Sequence, residues 1–149
     1  MSKPKILALD QATKTGWATD TASGVWDLKP NRGESTGMRV VRFKSKVREI
    51  IELEGIDVVA YERPAGRFKA SIMVSSEMVG VLLDLCIELG VEVACYSANE
   101  IKKHATGKGN AGKPVMIAAA KKKWPNIKII DDNHADALWL LDLTQKDLQ

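Results

Sequence analysis

Short apolar runs and longer stretches of helical period alternate along this chain, and their order predicts a mixed sheet flanked by helices. Residues 5–10, ending Ile6-Leu7-Ala8-Leu9-Asp10, read as a buried strand. Residues 15–20 and 23–28 alternate weakly around the turn-prone Thr21-Ala22-Ser23-Gly24 and read as a hairpin. Turn formers fill residues 29–35. From Thr36 to about Glu54, Val40, Phe43, Val47, Ile50 and Ile51 recur at three- and four-residue steps, with Arg39, Arg42, Lys46 and Glu49 on the other faces. Gly55 suits a helix terminator. Asp57 to Glu62 is a fourth strand, residues 63–69 a loop, Ala70 to Leu89 a long helix, and Val91 to Tyr96 a fifth strand. A short helix over 97–104, N-capped by Ser97, precedes a flexible basic loop at 106–113. Helices from Pro114 to Trp124 and from Asn133 to Asp142 complete the chain.

Hairpin connections make strands antiparallel and helical crossovers make them parallel. The order therefore predicts an α/β domain: three antiparallel strands, then two parallel ones, with helices on both faces. Right-handed crossovers place the strands that start at residues 5, 57 and 91 side by side. One domain over residues 1–149 is expected, with no internal repeat.

Composition narrows this only slightly. The apolar share is 45% and the charged share 28%, ordinary for a globular protein, and a net charge of +3 does not by itself mark a polyanion binder. No run of about 18 apolar residues predicts a membrane span. Ile6 to Leu9 is too short for the apolar part of a signal peptide. Cys86 and Cys95 sit in apolar surroundings and read as buried, reduced thiols. These features predict a soluble, cytoplasmic protein.

The chemistry lies in three acids. Asp10 ends the first strand, Glu62 ends the fourth, and Asp136 stands where a polar turn becomes an apolar helix. Taken singly, Asp10 could start a loop, Glu62 could pair with Arg63 or Arg67, and Asp136 could meet a helix dipole. Taken together, on segments that can lie side by side, they suggest a shared divalent metal site. Clustered carboxylates raise one another's pKa and make sense chiefly around a cation. Magnesium takes one or two carboxylates per ion plus substrate phosphate. Two such ions can activate water and stabilise the leaving oxygen in phosphodiester hydrolysis.

The ordered set Ile6-Leu7-Ala8-Leu9-Asp10, Thr15-Gly16-Trp17-Ala18, Val58-Val59-Ala60-Tyr61-Glu62 and Ala135-Asp136-Ala137-Leu138 resembles the RuvC-type Holliday-junction resolvases of the ribonuclease H-like superfamily. The resemblance covers nearly the whole chain. It implies a ribonuclease H-like fold and metal ligation by Asp10, Glu62 and Asp136, with Mg2+, or Mn2+ as a substitute, bound as two ions per site. It further implies junction resolution by symmetric paired nicks that leave 5′-phosphate and 3′-hydroxyl ends. In that family a fourth ligand, Asp or sometimes His, lies one helical turn before the last Asp. Here Asn133 stands three residues back, favoured by position, with His134 a close rival and Asp132 left open as a third candidate or as the helix N-cap. The resemblance also implies that two lysines flanking a Gly-containing turn contact the scissile strand, which Lys102 and Lys113 match by their offsets from Gly107.

Lys108 and Lys113 lie on a glycine-containing loop that lets the backbone approach phosphate. Arg67, with Arg39, Arg42, Lys46, Arg63 and Lys69, extends the basic surface. Phe68 is expected either to pack locally or to insert between bases, as an aromatic wedge does in relatives. The helix around residues 70–89 is apolar around much of its circumference and suits both a core and a homodimer interface. The expected partners are branched DNA and a second copy of the chain, with no membrane. Other ribonuclease H-like nucleases acting on flaps or hybrids, a catalytically weak junction-binding module, and the actin-like and sugar-kinase ATPases are the competing readings. The ATPases need two such domains, for which 149 residues are too few.

Overall fold

A computed structural model describes residues 2–149. The elements run β1 (Ile6–Asp10), β2 (Lys14–Ala18), β3 (Ser23–Asp27), α1 (Met38–Glu54), β4 (Val58–Glu62), α2 (Lys69–Leu89), β5 (Glu92–Tyr96), α3 (Ala98–Thr106), α4 (Lys113–Lys123) and α5 (Asp132–Asp147). The five strands form one sheet in the order β3-β2-β1-β4-β5. β1 to β3 are antiparallel neighbours, whereas β4 and β5 run parallel to β1. This is the expected mixed sheet, with right-handed logic placing β1, β4 and β5 together.

Strand alternation divides the core into two layers. Leu7, Leu9 and Val59 face α1 and α2, meeting Phe43, Val47, Met78, Leu82 and Leu85. The intervening positions are small: Ala8, Ala18 and Ala60 face α5. Gly16 belongs to this small-residue surface, and a Cβ built there would lie 1.9 Å from the Asn133 carbonyl oxygen. Small side chains let the helix approach the sheet closely, so α5 buries Ala135, Ala137, Leu138, Leu140 and Leu141 against it. That approach carries the first turn of α5 to the end of the sheet where β1 and β4 stop.

Several sequence expectations change. α5 continues to Asp147 rather than stopping at Asp142, because Thr144 is buried and donates its hydroxyl to the Leu140 carbonyl, keeping that turn helical. Its N-cap is Asp131, which accepts from the His134 N–H at 2.9 Å, so Asp132 is a first-turn residue and not the cap. The basic loop is pinned rather than loose: the Thr106 hydroxyl lies within hydrogen-bonding distance of the Lys102 and Lys108 carbonyls and accepts from the Lys108 N–H. Cys86 is buried as expected, but Cys95 is exposed, because β5 is an edge strand not covered on that side. α2 is long and apolar enough to cross a membrane by length and composition alone. Here its Met78, Leu82, Leu85 and Cys86 pack on the sheet instead.

Candidate metal centre

Alternation decides where the acids point. Asp10 and Glu62 follow Ala8 and Ala60 in the two-residue repeat, so both emerge on the α5 face. The register that pairs Leu9 with Tyr61 sets Asp10 beside Glu62 at the same sheet edge. α5 enters over that edge and brings Asp136, with Asp132 one turn earlier at an i, i+4 spacing. The result is four acids from three elements around one partly buried corner.

Their electrostatics follow from that crowding. Burial drives the Asp10 carboxyl well above its usual range, with further upward pushes from Glu62, Asp136, Asp132 and Asp131. Asp136 rises from 3.8 to about 7, chiefly through burial and then repulsion by Glu62 and Asp132, with Lys102 and Lys113 opposing. Burial likewise raises Glu62, again opposed by Lys102. No hydrogen bond or ion pair engages the carboxylates of Asp10, Glu62 or Asp136 among the described residues. Half-buried, mutually repelling and unpartnered acids are costly unless a cation joins them. Among the described residues, no three His, Cys, Asp or Glu side chains are arranged to hold an ion by themselves. Magnesium needs only one or two carboxylates and completes its shell with water and phosphate oxygens. The all-oxygen donor set therefore fits a hard divalent cation.

Two of the basic candidates reach this corner. Lys102 acts on Glu62 and Asp136, and Lys113 acts on Asp136 while its ammonium stands 3.5 Å from Asp132. Lys113 remains 79% exposed, so it faces a ligand approaching from solvent. Lys108, Arg67 and Phe68 lie exposed on the flanking loops and touch none of the carboxylates, with Phe68 at the N-cap position of α2. Arg42 is taken up by a forked ion pair with Glu34.

His134 is not placed to ligate a metal. Its Nδ1 accepts from the Ile130 N–H at 3.1 Å, and its Nε2 lies 2.8 Å from the Ser23 hydroxyl. Both ring nitrogens are committed, the ring is buried, and that burial lowers its pKa and keeps it neutral. Nδ1 must be the unprotonated nitrogen because it accepts from a backbone donor. His134 thus bolts the start of α5 to β3. Asn133 presents its main-chain carbonyl to Gly16. Of the three candidates beside Asp136, Asp132 is the one whose charge acts on Asp10 and Asp136, in keeping with its i, i+4 relation to Asp136.

The RuvC family model, crossover junction endodeoxyribonuclease, matches residues 22–141. The chain belongs to the RuvC family. A stretch of 79 residues, 52% of this chain, is 35% identical to the RuvC endodeoxyribonuclease of Corynebacterium glutamicum, spanning 36% of that relative's length. Over 113 residues it is 33% identical to the Corynebacterium diphtheriae RuvC, covering 75% of this chain and 68% of the relative. Thermus thermophilus RuvC in complex with a Holliday junction substrate superposes with a TM-score of 0.74 at 20% identity, over 93% of this chain and 90% of that one. That likeness establishes the shared fold, and the family match agrees with the resemblance read from the ordered motifs.

Proposed function

We propose that this protein is a metal-dependent endodeoxyribonuclease that resolves four-way DNA junctions by paired, symmetric nicks. The observation that carries the reading is the convergence of Asp10, Glu62, Asp136 and Asp132 on one sheet edge, with Lys102 and Lys113 beside them. Asp10, Glu62 and Asp136 would hold Mg2+ or Mn2+, two ions per site, and Asp132 replaces Asn133 as the fourth ligand. Cations held by these acids would supply Lewis-acid stabilisation of the phosphodiester and a more acidic attacking water. Lys113, exposed at the rim, meets the charge that develops on the phosphorus oxygens, and Lys102 partly offsets the upward shifts of Glu62 and Asp136. Asp132 restrains Lys113 until a phosphate takes its place.

A junction is close to two-fold symmetric, so a two-fold dimer presents one site to each cut strand. α2 supplies the contact: Leu83 and Ile87 stay exposed on the helix that packs its other face on the sheet. Lys108, Arg67 and Phe68 then line the path of the DNA arms. A panel of labelled four-way junctions, flaps, RNA–DNA hybrids and linear duplexes tests the assignment. Paired nicks in the junctions are expected. Preferential cutting of hybrids or flaps would reassign the substrate, and tight junction binding with no nicking would make the chain a binding module.

A further inference from the structure

A cavity of about 470 Å³ opens beside the carboxylate edge, on the α1–α2 side of the sheet. Its walls include Thr13 just past β1, Thr36 and Arg39 around the start of α1, and Ser71, Met73 and Glu77 on α2. Asp10 and Glu62 face the opposite layer, so the cavity is separate from the metal centre yet shares its rim. Gln11 couples the two: its buried amide nitrogen donates to the Glu62 carbonyl and to the Ser75 hydroxyl, tying α2 to the end of β4.

Arg39 gives the cavity its chemistry. Arg39 and Arg42 each keep one buried nitrogen without an acceptor, Nε in Arg39 and a terminal nitrogen in Arg42, but Arg42 is paired with Glu34 whereas Arg39, which lines the cavity, makes no ion pair among the described residues. A buried donor without an acceptor is costly, and a phosphate oxygen suits a guanidinium fork. The hydroxyls of Thr13, Thr36 and Ser71 add neutral donors. The space exceeds what a phosphate alone would fill and falls in the range of small-ligand pockets. Met73 offers an apolar wall to a sugar or base. Glu77 repels a second phosphate but accepts from an exocyclic amine, which adenine, cytosine and guanine carry and thymine lacks.

We propose that this cavity seats one unstacked nucleotide of the cut strand beside the scissile phosphate, with Arg39 holding its phosphate and Glu77 favouring an amino-bearing base. The proposal rests on the nuclease reading above. It is tested with four-way junctions carrying 2-aminopurine at each position flanking the nick, bound by Asp10→Asn protein, alone and combined with Arg39→Ala or Ser71→Glu. Ser71 is exposed in the first turn of α2, where an acid is tolerated. Ser71→Glu therefore spares the fold while placing a negative charge in the cavity. One flanking position should brighten on binding, and either second substitution should abolish that rise. Arg39→Ala should also flatten the slope of log affinity against log salt by about 0.7 to 0.9, one phosphate contact. In otherwise native enzyme, Glu77→Gln should weaken the preference for an amino-bearing base at that position severalfold. An unchanged salt slope with no flanking base unstacked would overturn the proposal while leaving junction nicking intact. A native chain that nicks no DNA at all would instead remove the nuclease reading beneath it.

Discussion

Asp136→Asn should stabilise the metal-free fold and abolish cleavage together. The Asp136 carboxyl rises from 3.8 to about 7 because it is buried beside Glu62 and Asp132. Between those two values the native state holds a proton that the unfolded chain releases, so stability falls as pH rises through the window and the whole deficit is present above about pH 7. At ~1.36 kcal/mol per tenfold change in proton affinity, that gap bounds the deficit at about 4 kcal/mol. Several repelling acids share the titration, which spreads the effect and leaves about 1–3 kcal/mol to the single substitution. For a domain of this length each kcal/mol moves the melting point by ~2–4 °C. Urea unfolding in EDTA at about pH 8 should show the Asn variant more stable than the native chain, with the difference shrinking as pH falls through the window and vanishing only below 3.8, where the native carboxyl is protonated in both states. Magnesium should stabilise the native chain and do little for the variant. A variant less stable than the native chain at the higher pH would refute the reasoning, because it would mean that Asp136 is satisfied by protein groups.

Other substitutions separate scaffold from chemistry. Gly16→Ala puts a methyl 1.9 Å from the Asn133 carbonyl, so α5 must move; a loss of about 2–3 kcal/mol in urea unfolding and weakened manganese binding are expected. His134→Ala removes a buried ring and two hydrogen bonds, which should cost about 2–4 kcal/mol of stability. If metal affinity fell tenfold while stability held, His134 would be a ligand after all. Lys113→Ala should leave the melting point unchanged, since the side chain is mostly exposed, but slow nicking about 100-fold, read as kcat on junction DNA.

The sheet and its two leading acids were legible because they depend on local pattern alone. Period-two alternation sends Asp10 and Glu62 to the Ala8 and Ala60 face, and parallel crossovers set them side by side. Which of Asp132, Asn133 and His134 turns toward them was not legible, because that depends on how α5 is docked. Asp131 caps the helix, Gly16 lets it approach, and Ser23, 111 residues away in sequence, holds His134. Those contacts rotate Asp132 toward the cluster and leave His134 facing β3. The Lys102 and Lys113 assignments came from offsets around Gly107, and the pinned loop brings both to the acids. The exposure of Cys95 follows from β5 lying at the sheet's edge, which a strand pattern cannot reveal.

The most direct test of the central claim is nicking of a synthetic four-way junction by the native chain and by Asp10→Asn, each with magnesium and with EDTA. Paired nicks at symmetric positions are expected from the native chain with magnesium only, and binding without cutting from Asp10→Asn. Equal cutting by the variant, or cutting that survives EDTA, would contradict that claim.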